Sequence, residues 1–285
     1  MTDAPVATPP ARQYLAAYEV LPAMKREAGF YLGLSPLQTF VLACLGGVFV
    51  TFGALFSLLL SSGVGASGPQ LLLQGLGFST GFFMIVLSRA ALFTEANVIL
   101  PAAFLQSSWS EISASAFRFW AIAWMGNLAG ALFAGHVIAF AQVYPDYVYE
   151  GLAAVVSKKM AYMEEGTGAA WMRIVVSGMI GNALIGMAAF FATMGNTIFG
   201  KFVPIFLVVS LFVAANLQHS PANMGYFALS MATGGGPGWG PALSWNAVPA
   251  GIGNILGGAL LVALPFWYAF RGAVHTPHLP PNSTE

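Results

Sequence analysis

Long apolar runs separated by short polar interruptions dominate the pattern along this chain. Runs on the order of 20 residues, enough to cross a bilayer, fall at about 37–61, 69–106, 117–142, 172–197, 203–230 and 244–270. The second run is too long for one helix and carries Arg89 and Glu95. It predicts a broken span, with one half-helix ending near Leu87 and another running from about Glu95 to Leu105. The fifth breaks near Asn216–Pro221, because a proline lacks an N–H and suits only the first turn of a new helix. Ser220 is the expected N-cap there, since serine oxygens accept from first-turn N–H groups. Tyr14, Leu15, Tyr18 and Leu21 follow helical spacing and predict an amphipathic helix on the membrane face. Segment 143–171 reads as a long loop. The pattern thus predicts an all-α membrane protein with an amino-terminal segment 1–36, a six-span domain 37–270 and a tail 271–285.

An internal repeat refines this picture. Thr94-Glu95-Ala96-Asn97 matches Ser220-Pro221-Ala222-Asn223, and Met125-Gly126-Asn127-Leu128-Ala129-Gly130 matches Ile252-Gly253-Asn254-Ile255-Leu256-Gly257, at offsets of 126 and 127. Three spans per repeat is an odd number, so the second copy must insert upside down relative to the first. An inverted 3+3 repeat with broken second and fifth helices places a transport path near the midplane.

Composition agrees. The chain has 58% hydrophobic and only 7% charged residues, with a mean hydropathy of +0.75; soluble domains carry roughly a quarter charged residues. The zero net charge gives no field for nucleic acid. The first 36 residues contain charges and no long apolar run, which argues against a cleavable signal peptide. Cys44 is the single cysteine, so no intrachain disulfide or thiolate metal site is expected. Arg12, Lys25, Arg26, Arg118, Lys201 and Arg271 fall on one side of a six-span arrangement, and Lys158, Lys159 and Arg173 on the other. The positive-inside rule then places both termini in the cytoplasm.

The two breaks hold the candidate chemistry. His219 lies mid-span at the second break, where it serves either as a proton-exchanging group in a pore or as a structural imidazole capping freed backbone. Thr94 at the first break reads as a cap for its half-helix, with its hydroxyl directed toward His219 or with no solute contact. Phe78, Phe82 and Phe212 are candidates for dry constrictions, although single aromatics more often only pack. Arg89 and Glu95 are expected to pair, because a lone charge at membrane depth is costly. Lys158 and Lys159 are expected to draw anions into a vestibule. A neutral-solute channel for water, ammonia or glycerol uses the same architecture and is the alternative. An intramembrane serine hydrolase is the remote one: Gly65-Ala66-Ser67-Gly68 and Gly77-Phe78-Ser79-Thr80-Gly81 carry nucleophile-like patterns, but no strand–turn–helix elbow is available. Neither catalysis, a cofactor nor a metal is expected.

Together, Gly75-Leu76-Gly77-Phe78, Leu92-Phe93-Thr94, Gly181-Asn182, His219-Ser220-Pro221-Ala222-Asn223-Met224 and Gly253-Asn254-Ile255-Leu256-Gly257-Gly258 resemble the formate/nitrite transporter family, from about residue 15 to 270. The resemblance implies a homopentamer of aquaporin-like protomers in the bacterial inner membrane, each with its own pore, surrounded by lipid. It also implies small monovalent anions such as formate, nitrite, hydrosulfide, acetate or lactate as substrates. Thr94, His219 and Asn182 correspond to its polar pore residues, and Phe78, Phe82, Leu92, Phe93 and Phe212 to its constrictions. The chain departs from the family pattern at Arg89-Ala90-Ala91, at Glu95, and at Gln218, where a glutamate usually precedes the histidine.

Overall fold

The computed structural model describes residues 12–272, so nearly all of the expected tail 271–285 lies outside the described residues. The described chain is almost wholly helical: α1 (Ala17–Leu32), α2 (Pro36–Ser61), α3 (Ser67–Ser88), α4 (Phe93–Phe104), α5 (Trp109–Ala141), α6 (Asp146–Glu165), α7 (Gly168–Met194), α8 (Ile198–Ala214), α9 (Ser220–Ala232) and α10 (Trp239–Phe270). Among the described residues, α2, α3, α5, α7 and α10 are long and apolar enough to cross a membrane, and α8 is a shorter apolar helix. With α3–α4 and α8–α9 as the broken pairs, six spans result. Exposed Leu37, Phe40, Val41, Phe133, Phe140 and Phe199 give the outer surface its apolar character, as hydrocarbon contact requires.

Local chemistry explains the elements. At the start of α2, Ser35 Oγ accepts from Gln38 N–H and Gln38 Oε1 accepts from Ser35 N–H, with Pro36 in the first turn, which is a capping box. α10 carries π-helical turns at Leu243–Ala247 and Gly257–Ala263, each ending shortly before a proline, Pro249 and Pro265. A proline ring pushes against the carbonyl one turn back, and a widened turn accommodates it. Small residues let the spans approach closely. A β-carbon on Gly130 would overlap the Cys44 carbonyl, and one on Gly257 would overlap that of Met179. Thus α5 lies against α2 in the first half as α10 lies against α7 in the second.

Two sequence-based expectations need correction. Segment 143–171 is not a loop, because α6 occupies most of it, burying Val148, Leu152, Val156, Lys159 and Met160 along one stripe with the spacing of an amphipathic helix. The amino-terminal helix begins at Ala17 rather than at Tyr14, which is exposed. Its apolar stripe of Val20, Leu21, Met24, Ala28 and Tyr31 is buried, and the helix packs on α4.

Candidate permeation site

Each break opens with a left-handed residue: Arg89 (φ 57°) and Asn216 (φ 51°). Each is then held by one asparagine. Asn127 accepts from Phe93 N–H at 2.9 Å and donates to the Ala91 and Ala43 carbonyls. Asn254 accepts from Ser220 N–H at 2.9 Å and donates to the Gln218 and Gly178 carbonyls. These bonds satisfy backbone groups that a broken helix leaves without partners. Arg89 and Asn216, Ala91 and Gln218, Phe93 and Ser220, and Asn127 and Asn254 all stand 127 positions apart. The hydrogen bonds therefore correct the first sequence match by one residue. Phe93, not Thr94, is the counterpart of Ser220, and Leu92 is that of His219.

The caps differ from expectation as well. His219, not Ser220, is the N-cap of α9, its Nδ1 accepting from Ala222 N–H at 3.2 Å. Thr94 is no cap: α4 starts at Phe93, and the Thr94 hydroxyl is buried without a partner. Because Nδ1 accepts, the neutral imidazole carries its hydrogen on Nε2. That Nε2 is also buried and unpartnered. Asn182 Nδ2 donates to the Thr94 carbonyl at 3.2 Å and to the Asn254 carbonyl at 2.8 Å, tying the two halves together, while its Oδ1 remains unpartnered. Asn97 adds two further unpartnered buried atoms. Such atoms are rare in folded proteins, and here they concentrate on the two half-helices and the span between them.

Two cavities lie at opposite ends of α3 and α8. One, of about 90 Å³, is lined by Leu71, Gln74, Phe78, Lys158, Lys159 and Phe212 among others. Lys158 is exposed, whereas Lys159 is buried and donates from Nζ to the Leu217 carbonyl at 2.8 Å; burial lowers its pKa to about 7. The other, of about 480 Å³, is lined by Arg26, Glu27, Tyr31, Leu87, Arg89, Glu95 and Lys201 among others. Gln74 and Val86, on the two cavities, are roughly 18 Å apart along α3 at the helical rise.

The aromatic walls of the smaller cavity reach to His219. The Phe78 ring lies 6.2 Å from Phe212, and Phe212 lies 5.3 Å from the His219 ring. Phe78 also stacks on Tyr226 at 6.0 Å, whose hydroxyl is bonded to Ser57 at 3.0 Å. Phe82 and Leu92 are buried nearby in sequence. Phe93 stands apart, lining an outer groove with Trp120 and Trp124.

The expected Arg89–Glu95 pair is replaced by another. Arg89 Nε and Nη2 bind Glu27 at 3.1 and 2.5 Å, and its guanidinium lies 4.6 Å from the Phe30 ring. The helix α1 supplies a closer carboxylate, which a search confined to the spans overlooks. The sequence reading also missed Asn246. It accepts from Asn223 at 2.6 Å and donates to Gln218 Oε1 at 3.1 Å and to the Lys159 carbonyl at 2.8 Å. Ser79 donates to the Leu76 carbonyl within α3, so the G-x-S-x-G pattern lies inside a helix.

Six apolar spans, two of them broken, with buried unpartnered polar atoms at and beside the breaks, define a membrane transport protein rather than an enzyme. A profile of the formate/nitrite transporter family matches residues 18–268, and the chain belongs to that family. It is 28% identical to a probable formate transporter of Methanothermobacter thermautotrophicus over 246 residues, covering 82% of this chain and 89% of that protein. It is likewise 28% identical to the formate channel FocA of Escherichia coli over 266 residues, covering 86% and 90% of the two chains. Among solved structures it resembles an FNT family ion channel, with a TM-score of 0.73, 22% identity and coverage of 88% of this chain and 98% of that one. A pentameric formate channel with formate bound gives a TM-score of 0.67 at 21% identity, with 83% and 98% covered.

Proposed function

We propose that the protein conducts small monovalent anions of weak acids, formate foremost, between the Lys159 and Glu95 cavities, with His219 as the central hydrogen-bond donor. One observation carries this reading: the cap at Nδ1 leaves a buried, unpartnered Nε2–H at the second break. A neutral imidazole so held donates a hydrogen bond to an oxygen of the passing weak acid. Giving up that proton would leave an imidazolate, and forming an imidazolium would break the cap. The geometry therefore favours donation over the proton exchange that the sequence suggested. The Thr94 hydroxyl and Asn182 supply further polar atoms, and Lys159 gathers anions at its cavity. Crossing the Phe78–Phe212 zone as an ion costs several kcal/mol, so the permeant takes its proton from water at the cavity mouth. Assembly as a homopentamer, a bacterial inner-membrane location and cytoplasmic termini complete the proposal.

The test is proteoliposome flux of formate, nitrite, hydrosulfide, acetate and glycerol across pH. His219→Phe removes the donor and is expected to lower formate flux several-fold, up to about tenfold, the loss of one hydrogen bond to a neutral group. His219→Asn keeps an N–H donor and is expected to retain more flux with the wild-type pH profile. Unchanged flux in His219→Phe would overturn the donor role, and a lost pH profile in His219→Asn would mean that the imidazole itself titrates. Glycerol flux equal to that of formate would point to a neutral-solute channel.

A further inference from the structure

The larger cavity has an arrangement of charge that anion conduction alone does not call for. Three basic side chains, Arg26, Arg89 and Lys201, and two acidic ones, Glu27 and Glu95, line it, together with the Tyr31 phenol. Arg89 and Glu27 are engaged with each other, Arg26 is exposed, and the Lys201 ammonium donates to the Ala192 carbonyl. The Glu95 carboxyl has neither an ion pair nor a hydrogen bond among the described residues. It lies in the first turn of α4, directly after the fully buried Thr94. The cations are exposed or engaged, while a lone carboxyl stands beside Thr94.

We propose that Glu95 is a specificity-determining residue of the path: it rejects anions that stay ionised and passes those that arrive protonated. The cations of the cavity concentrate any small anion. When ionised, the Glu95 carboxylate repels a second negative charge, whereas a neutral acid meets only a hydrogen-bonding group. No bond is made to Glu95, and the permeant's proton comes from water. This filter rests on the weak-acid reading given above.

The experiment compares formate with nitrate, a planar anion of similar size whose acid is too strong to protonate in water. Flux of both is measured in proteoliposomes for the wild type, Glu95→Gln and Glu95→Asp, each checked for an intact oligomer by size exclusion. Glu95→Gln is expected to raise the nitrate-to-formate ratio about tenfold, in line with the loss of one like-charge repulsion at partly screened distance. Glu95→Asp is expected to keep the wild-type ratio. An equal ratio in the wild type and Glu95→Gln would overturn the proposal. A higher ratio in Glu95→Asp matching that of Glu95→Gln would do so too, since both would then report altered packing. Absence of formate flux from the wild type would instead overturn the weak-acid reading itself.

Discussion

Asn254 and Asn97 are both fully buried asparagines, one at the second break and one following the first, yet removing their amides is expected to have very different consequences. The Asn254 side chain serves three backbone groups: Ser220 N–H, the Gln218 carbonyl and the Gly178 carbonyl. Ser220 opens α9, so its N–H has no partner within the helix, and the Gln218 carbonyl lies in the break itself. Asn254→Leu keeps the volume and strands both. At about 1–3 kcal/mol for each unsatisfied buried group, the loss is about 2–5 kcal/mol, or a fall of roughly 10 °C in melting temperature for a chain of this size. Asn97 offers the contrast, because neither of its amide atoms has a protein partner. Asn97→Leu forfeits no protein hydrogen bond, and its expected effect on stability is within about 1 kcal/mol of zero. The assay is thermal unfolding of the detergent-solubilised oligomer for Asn254→Leu, Asn127→Leu and Asn97→Leu. Asn127→Leu is expected to fall with Asn254→Leu, since it strands Phe93 N–H and the Ala91 carbonyl. Equal melting temperatures for all three variants would refute the reasoning.

The charged groups give two further tests. Lys159 carries a pKa lowered to about 7 by burial, so the unfolded chain binds more protons between about 7 and the usual lysine value of about 10.4. Stability is therefore expected to rise with pH across that window, by at most about 1.4 kcal/mol per unit, and Lys159→Met is expected to flatten the rise in a pH series of unfolding temperatures. For Arg89 and Glu27, whose side chains are 54% and 27% exposed, screening limits the coupling to about 0.5–1.5 kcal/mol. A double-mutant cycle with alanines measures it, and the same cycle on Arg89 and Glu95 is expected to give less than about 0.5 kcal/mol.

The sequence showed the spans and both breaks because their signals are strong and local: long apolar runs, and Pro221 or Arg89 where no helix continues smoothly. Asn127 and Asn254 surfaced as repeat matches, but their task did not, because each bonds residues 34 positions or more away. The helix α6 escaped for another reason. Its stripe is narrow and its outer face charged, so a search for long apolar runs passes over it. The partner of Arg89 was misjudged because Glu95 is near in sequence, whereas Glu27 is brought near only by the docking of α1 on α4.

That docking reveals a unit larger than three spans. The helix α1 precedes the first span of its half and α6 precedes the first span of the other. Each reaches the break of its own half: Glu27 binds Arg89, and Lys159 binds the Leu217 carbonyl beside Asn216. Each also walls one cavity, α1 with Arg26, Glu27 and Tyr31, and α6 with Lys158 and Lys159. A non-glycine residue in the left-handed region costs about 1–2 kcal/mol, and both breaks contain one. An arginine there tolerates the strain less well than an asparagine does, and it is the arginine that receives a bidentate carboxylate and an aromatic face. The second break, opened by the more permissive Asn216, is held instead through amides, Gln218 with Asn223 and Asn246. The two amphipathic helices are thus braces for the broken spans, and each brings charged groups to the cavity beside it.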